Sequence, residues 1–270
     1  MLKQRILTAL VLAGLFLPAL FLLPRTGFAV LIGLLVLLTA REWAGLAGLR
    51  GVARLLFAAV VTAVGAALLM ADGTRGWVLG GGALLWGVLS LRLLFAERAP
   101  EWVHAPLFKL SLAPLVLWPA WFALDALHTV PQGAWWALAP FMLVWVADSA
   151  AYFAGRAFGR RKLAPSISPG KTVEGVLGAL VAVALAGWAA HQFPPYALMP
   201  LFPWLGLLLV TTLISVMGDL HESQLKREAG VKDSGTLLPG HGGLFDRVDS
   251  LLAAAPVMAF GLMLLGLFKG

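Results

Sequence analysis

The sequence predicts an all-α polytopic membrane protein with about nine transmembrane helices. Of the 270 residues, 60% are hydrophobic and 12% are charged, the apolar residues fall into long runs, and the basic residues lie mainly on one side of those runs. Soluble domains average about 45–50% apolar and about 25% charged residues. The composition therefore excludes a soluble globular enzyme, a disordered chain and any large domain outside the membrane.

Each apolar run approaches the roughly 20 residues that a helix needs to span a bilayer. Only helices and closed barrels satisfy backbone hydrogen bonds in lipid, and the alternation typical of barrel strands is missing. The first run follows two basic residues, as in a signal peptide, but it is long and no cleavage motif follows, so we expect it to be retained. The predicted spans are Ile6–Leu23, Phe28–Leu46, Leu55–Ala71, Trp77–Phe95, Phe108–Ala126, Trp135–Phe153, Val176–Gln192, Leu198–Gly218 and Leu251–Phe268.

The distribution of basic residues predicts the orientation of these spans. Nine spans place the termini on opposite sides, and 17 of the 20 Lys and Arg residues then lie on the N-terminal side. Arg25, Arg75 and Lys269 lie on the other side. The positive-inside rule predicts that the N-terminus is cytoplasmic and the C-terminus is outside. Because topology and anionic lipid account for the net charge of +7, we expect membrane lipids and no nucleic acid as partners.

Polar residues are concentrated in the second half of the chain. Residues 1–130 are predicted to be N-terminal transmembrane helices, and residues 131–270 a catalytic transmembrane region with cytoplasmic loops 156–173 and 219–250. Six of the 13 acidic residues, four basic residues and two His lie within positions 219–249. A plain connector does not need so many charges. Cysteine is absent, which excludes a thiolate nucleophile and a Cys-based metal site.

The residues of the 219–249 segment suit phosphate chemistry with a hard metal ion. Mg²⁺ prefers a few carboxylates together with phosphate oxygens, so Asp219, Asp246 and Asp249 are candidate ligands. If the last span begins early, Asp246 and Asp249 share a helix face, and the loop is expected to bring Asp219 near Asp246. Two ions bridged by such carboxylates could hold the attacking and leaving oxygens of an in-line displacement.

Basic and glycine residues in the same segment suit a phosphate group. Basic side chains can neutralise phosphate charge, and glycines bring backbone N–H groups close to a ligand. For Lys226 and Arg227 a role in setting the topology is the alternative. Glu222 and Glu228 are expected to be charges on a helix surface. The candidate phosphate ligands are Lys226, Arg227, Lys232, Arg247, Gly240, Gly242 and Gly243.

A second group of polar residues surrounds the loop before the seventh span. Asp148 lies within an apolar stretch, where a carboxylate costs about 2.5–3.5 kcal/mol, so we expect it to face a polar cavity or, alternatively, a partner in a helix–helix ion pair. Ser168, Lys171 and Thr172 at a helix start would form a phosphate site, although Ser168 could equally be an N-cap. A P-loop is excluded because position 165 is Pro and no strand is expected.

The run 223–249 contains a pattern made of Ser223, Lys226, Arg227, Lys232, Asp233, Gly235, Leu238, Pro239, His241, Gly242, Gly243, Asp246, Arg247 and Asp249. This pattern resembles that of the phosphatidate cytidylyltransferase (CDP-diacylglycerol synthase) family. Stretches 147–156 and 168–175 are also similar to that family, except that Gly170 stands where its members often have Lys. The resemblance implies that CTP and phosphatidate react to CDP-diacylglycerol and pyrophosphate, in a Mg²⁺-dependent homodimer in the inner (cytoplasmic) membrane.

The resemblance and the residue chemistry together predict the site, at the cytoplasmic edge of the bilayer where soluble CTP and a membrane lipid can meet. The predicted metal ligands for one or two Mg²⁺ are Asp219, Asp246, Asp148 and Asp249. The predicted catalytic residues are Asp219, Asp246, Lys226, Arg227, Asp249 and His241, with His241 as a donor to pyrophosphate. The predicted substrate-binding residues are Ser168, Lys171, Thr172, Ser223, Lys232, Asp233, Gly242, Gly243 and Arg247.

Two other classes of protein compete with this prediction. A secondary transporter would also place an acid such as Asp148 in the membrane, but no inverted repeat is found and the polar residues collect at one face. A CDP-alcohol phosphotransferase would also use CDP-activated lipid, but the motif of that family is not found in the sequence.

Overall fold

A computed structural model of the chain describes residues 2–95, 104–238, 240 and 242–268. Within those residues the chain forms nine α-helices, one short antiparallel hairpin and a 3-10 turn at Tyr196–Leu198. The hairpin strands are β1 (Lys162–Ala164) and β2 (Ser168–Thr172). The helices are α1 (Leu2–Leu22), α2 (Arg25–Leu46), α3 (Gly51–Met70), α4 (Thr74–Phe95), α5 (Pro106–Thr129), α6 (Gly133–Phe158), α7 (Val173–Ala190), α8 (Leu201–Glu228) and α9 (Phe245–Leu264).

The predicted helical membrane fold is confirmed. Each of the nine predicted spans falls on one of the nine helices, and eight of the helices, α2 to α9, are long and apolar enough to cross a membrane. The apolar side chains of α3 and α7 are largely exposed, as expected of helices that face lipid. The orientation of the termini stays a prediction.

The core of the bundle lies around α5 and α9, which are the most buried spans. Helix α9 packs against α8, α5 and α4, and the small side chains Ala253, Ala254 and Ala255 on α9 are completely buried. Small residues let transmembrane helices approach closely. One such close approach to α9 is at Gly218 on α8, where an added Cβ would lie 2.8 Å from Ala253 Cβ.

The segment 219–250 differs from the predicted loop. Helix α8 continues ten residues beyond the predicted end at Gly218 and ends at Glu228, and α9 begins at Phe245 instead of Leu251. The extension is stable because Leu220, His221 and Leu225 remain buried against neighbouring helices. Hydropathy marks where a helix leaves the apolar layer, not where its backbone hydrogen bonds end.

The segment 156–173 also differs from expectation, because residues 168–172 form strand β2 where no strand is expected. Residue Lys162 pairs with Thr172, and Ala164 pairs with Ser168. The N-cap of α7 is Thr172, whose hydroxyl accepts a hydrogen bond from Gly175 N at 3.1 Å. Ser168 is therefore not the N-cap. The hairpin returns the chain from the end of α6 to the start of α7.

Candidate active site

Three acidic side chains converge where α8 and α9 approach each other. Asp219 and Glu222 are three residues apart on α8, so they share one face of the helix, and Asp249 projects from the first turns of α9. One oxygen from each carboxylate lies within 4.8 Å of the other two. We call these three residues the acidic cluster. It can form because Gly218, which precedes Asp219, has no side chain to separate the helices.

Two lysines compensate part of the charge around the acidic cluster. Lys171 Nζ, from β2, lies 2.7 Å from Asp219 Oδ2. Lys226 Nζ lies 2.6 Å from Glu222 Oε2 and 2.6 Å from Asp246 Oδ1. Four carboxylates thus face two ammonium groups, and the six side chains carry a formal charge of −2. Because uncompensated charge in a partly buried region is costly, this arrangement favours a bound cation.

The side chains of the acidic cluster fit a divalent metal ion. Carboxylate oxygens are the hard ligands that Mg²⁺ prefers. Glu222 Oε1 is buried and has no hydrogen-bond donor among the described residues, although a buried acceptor normally has one. A cation bound by Asp219, Glu222 and Asp249 would satisfy this atom and neutralise the remaining formal charge.

Asp246 lies beside the acidic cluster and is held by the connector between α8 and α9. Its Oδ2 accepts hydrogen bonds from Gly243 N at 2.8 Å, Ser234 N at 2.9 Å and Ser234 Oγ at 3.0 Å. Its Oδ1 accepts one from Lys226. Both oxygens of Asp246 therefore already have protein donors, and a role of Asp246 as a metal ligand stays a prediction.

A cavity of about 330 Å³ opens beside the acidic cluster, between α6, α7, α8 and the hairpin; it has both apolar and polar residues in its wall, and we call it the polar cavity after the latter. Its walls combine residues that the sequence presents in three separate segments. The exposed side chain of Asp148 lines this cavity, in agreement with the expectation that it faces a polar space. The other polar residues in the wall are Tyr152, Ser168, Lys171, Thr172 and Asp219.

The remaining predicted site residues lie around the end of α8 and along the connector. Ser223 Oγ donates a hydrogen bond to Asp219 Oδ1 at 3.2 Å, and Arg227 Nε donates one to Ile167 O at 3.4 Å. The side chains of Lys232, Asp233 and Arg247 are exposed.

The connector contains one close approach of its own backbone, between Leu238 and Gly242. Gly242 adopts a φ of +83°, which favours glycine, and its carbonyl accepts a hydrogen bond from Leu238 N. The N–H of Gly243 is used by Asp246. His241 lies outside the described residues.

Two acids that are not among the predicted site residues are buried at the acidic cluster or against the connector. Glu222 is expected to be a surface charge, but its side chain is 1% exposed. Its spacing from Asp219 was the signal that could have identified it. Glu42, at the end of an apolar run, is 3% exposed and contacts the connector. Glu228 is largely buried too, in ion pairs with Lys109 and His104.

The chain is similar to known proteins over nearly its whole length. Residues 3–265 match the model of the cytidylyltransferase family. A phosphatidate cytidylyltransferase from Pseudomonas aeruginosa is 44% identical over 263 residues, which cover 96% of each chain. A phosphatidate cytidylyltransferase from Haemophilus influenzae is 39% identical over 286 aligned positions, which cover 96% of this chain and 98% of that protein.

A third relative with the same name matches the chain over a shorter region. A phosphatidate cytidylyltransferase from Bacillus subtilis is 50% identical over 131 residues, which cover 47% of this chain and 46% of that protein. The resemblance of the 223–249 run is thereby confirmed by matches that extend through the N-terminal helices as well. In this chain, the matched residues form a helical membrane bundle. Its carboxylates and lysines lie beside the polar cavity. The chain therefore belongs to the cytidylyltransferase family and is a nucleotidyltransferase.

Proposed function

We propose that this protein is a phosphatidate cytidylyltransferase that transfers the CMP group of CTP to phosphatidate, depends on Mg²⁺ and works at the cytoplasmic face of the membrane. The observation that carries the proposal is the acidic cluster with its lysines beside a polar cavity, in a chain that is 44% identical to a phosphatidate cytidylyltransferase over 96% of its length. The products are CDP-diacylglycerol and pyrophosphate.

In the proposed reaction, a phosphate oxygen of phosphatidate attacks the α-phosphorus of CTP. The bond from the α-phosphorus to the bridging oxygen of the β-phosphate breaks, and pyrophosphate leaves. A phosphate monoester has its second pKa near 6, so the attacking oxygen is already anionic at pH 7 and needs no strong general base. Positioning and neutralisation of charge then supply most of the rate.

Residues of the chain divide this work according to where they lie. Asp219, Glu222 and Asp249 would hold Mg²⁺, which when bound supplies positive charge for the phosphates of CTP. Lys171 orients Asp219 and presents its ammonium group to the cavity. Lys226 holds Glu222 and Asp246 in fixed positions, so we propose that it orders the carboxylates instead of binding phosphate directly.

The groups on the rim of the cavity would bind the substrates. Thr172 and Ser168 supply hydroxyls near Lys171, and Asp148 adds a carboxylate to the cavity wall beside Asp219. We propose that the exposed residues Arg227, Lys232 and Arg247 attract the triphosphate of CTP, since positive surface charge raises the local concentration of an anionic substrate. The roles of Asp233, Gly242, Ser223 and His241 in binding or leaving-group assistance stay predictions.

A direct assay tests the proposed reaction. Purified protein in lipid nanodiscs is incubated with CTP radiolabelled in its α-phosphate, phosphatidate and MgCl₂, and the lipid product is separated by chromatography. We expect a labelled lipid that forms only with all three components. Diacylglycerol, which lacks the attacking phosphate, is the matched control and should give no product. Absence of a Mg²⁺-dependent lipid product would reject the proposed function.

The orientation can be tested separately because the chain has no cysteine. The two exposed positions Thr236, in the connector, and Asp72, between α3 and α4, lie on opposite sides in the predicted topology. In intact bacterial cells, a membrane-impermeant maleimide should label Asp72→Cys and should label Thr236→Cys only after permeabilisation. The reverse result would place the acidic cluster outside.

We also propose that the protein is a homodimer in the inner membrane, as the family resemblance implies. Mass measurement of the detergent-solubilised protein, corrected for bound detergent, should give two chains per particle, and membrane fractionation should recover it with the inner membrane. A monomeric particle with full activity would reject the dimer and leave the proposed chemistry unaffected.

A further inference from the structure

Glu42, near the end of α2, is buried against the connector between α8 and α9. Its Oε1 accepts a hydrogen bond from Leu244 N at 3.1 Å, and its Oε2 accepts one from Phe245 N at 2.8 Å. Oε2 also accepts a hydrogen bond from Ser234 Oγ at 3.0 Å. These contacts join residues about 190–200 positions apart in sequence, and they link the N-terminal half of the chain to the functional half.

The contacts of Glu42 fix the first turn of α9. The N–H groups at a helix start have no partners within the helix, and Leu244, the N-cap residue, supplies no side-chain hydrogen bond. Glu42, which lies on α2, supplies the missing cap of α9. Its negative charge is also favourable at the positive end of the helix dipole. The position of the start of α9 therefore depends on α2.

Ser234 links Asp246 to Glu42. Ser234 Oγ lies 3.0 Å from Glu42 Oε2 and 3.0 Å from Asp246 Oδ2, so its single hydroxyl proton is shared between the two carboxylates. Asp246 also follows Phe245, whose backbone N–H binds Glu42 directly. A shift of Glu42 would move Asp246, and Asp246 in turn contacts Lys226, which holds Glu222 of the acidic cluster.

Two glycines of the connector leave the space that the Glu42 carboxylate occupies. A Cβ added to Gly235 would contact Glu42 Oε1, and one added to Gly243 would contact Ser234 Oγ and Glu42 Oε2. Aromatic packing supports the same junction, since Trp43 stacks on Phe245 with ring centroids 5.1 Å apart. The Trp43 indole N–H donates to Lys109 O on α5. The junction is thus tightly built around one carboxylate.

We infer that Glu42 is a positioning residue of the transfer reaction, which holds Asp246 and the start of α9 in the geometry that turnover requires. This inference rests on the proposed function. It assigns to α2, which otherwise only spans the membrane, a part in forming the active site. Glu42 does not line the polar cavity, and its effect is transmitted through Ser234 and the backbone of α9.

Glu42→Gln tests this inference, because glutamine keeps the shape but replaces one acceptor oxygen with an NH₂ group that cannot accept from a backbone N–H. We expect kcat to fall by about 100-fold, as small misplacements in active sites do, while the KM for phosphatidate changes little. The matched control is Asp125→Asn, a buried acid on α5 that pairs with Arg25 and Arg75 far from the connector. Its kcat per folded molecule should equal that of the wild type.

Ser234→Ala provides a second variant that leaves the backbone cap of α9 intact and removes only the hydroxyl between Glu42 and Asp246. It should lower kcat in the same direction, and the losses from Ser234→Ala and Glu42→Gln should be less than additive because they act on one connection. Wild-type kcat in either folded variant would overturn the inference. If Glu42→Gln does not fold, the result for Ser234→Ala decides.

Hydrogen exchange separates this inference from the proposed function. Amide exchange in the peptide that contains Leu244 and Phe245 should be faster in Glu42→Gln than in the wild type, and unchanged in Asp125→Asn. If the wild type makes no CDP-diacylglycerol, the proposed function fails, and the exchange rates still show whether Glu42 holds α9. Unchanged exchange in Glu42→Gln would overturn the inference in either case.

Discussion

The two ends of the helix bundle bury acidic residues in opposite charge environments. At one end, Asp125 is almost completely buried and two arginines contact it, with Arg75 Nη2 at 3.0 Å and Arg25 Nη2 at 3.2 Å from Oδ2. At the other end, four carboxylates share two lysines. Helix α5 runs between the two ends. Lys109, which pairs with Glu228 at the end of α8, and Asp125 lie 16 residues apart on α5, or about 24 Å along the helix axis.

The comparison shows that burial of an acid does not by itself indicate a function. Asp125 is compensated by two arginines, which leave the three side chains with a formal charge of +1, so no cation is needed there. The acidic cluster of Asp219, Glu222 and Asp249 is short of positive charge even after Lys171 and Lys226 are counted. Net charge within a cluster therefore distinguishes a site that needs a cation from an ion pair that joins helices.

Of the variants that test this charge difference, Asp219→Asn is expected to cause the largest loss of activity. It removes a ligand from the acidic cluster and the partner of Lys171, so CMP transfer should fall below detection while the protein stays folded. Mn²⁺ binding, followed by electron paramagnetic resonance, should weaken in parallel. Asp246→Asn should also abolish turnover. Activity near that of the wild type in either variant would remove that residue from the catalytic site.

Glu222→Gln is expected to have the next largest effect, although Glu222 was predicted to be a surface charge. The amide leaves Lys226 with one charged partner and the cluster with one carboxylate fewer, so we expect a loss of about 100-fold in kcat/KM, as for loss of one electrostatic group in a catalytic site. The control is Glu228→Gln on the same helix, whose carboxylate pairs with Lys109 instead. Equal losses in both variants would contradict a special role of Glu222.

Much of the fold was predictable because lipid imposes a simple rule on the sequence. A backbone in hydrocarbon must satisfy its own hydrogen bonds, so long apolar runs indicate helices, and all nine runs correspond to one. The extension of α8 to Glu228 was not predictable from hydropathy, because the polar turns there are stabilised by contacts of His221 and Leu225 with other helices. The short β1–β2 hairpin gave no alternating pattern that could identify it.

The site was predictable where its residues lie close in sequence and not where they lie far apart. Asp219 and Asp249 were predicted as candidates because acids in a short polar segment between apolar runs are unusual, and the structure brings the two side chains together. The contact of Glu42 with the connector was not predicted, because its partner Ser234 is 192 residues away and no local sequence pattern indicates that contact. Predicting which acids share one charge environment requires the packing of the helices as well as their order.

Lys171→Ala should have a moderate effect on catalysis. Lys171 lines the cavity and pairs with Asp219, so its removal should raise the KM for CTP or phosphatidate by about tenfold, in line with loss of one charge-assisted contact. The exposed Lys162 of β1, which does not line the cavity, offers a matched control, and Lys162→Ala should have normal kinetics. Unchanged kinetics in Lys171→Ala would restrict this lysine to a structural role.

Asp125→Asn should have the smallest effect on catalysis and a measurable effect on stability. The variant leaves Arg25 and Arg75 without their shared partner, but both side chains are partly exposed and can turn towards water, so the cost should be about 1–2 kcal/mol, less than for a fully buried ion pair. We expect a lower Tm in detergent with an unchanged kcat per folded molecule. A large loss of turnover at temperatures where the variant is folded would show that the two ends of the bundle are coupled. The charge balance around a buried acid would then no longer distinguish a structural acid from a catalytic one.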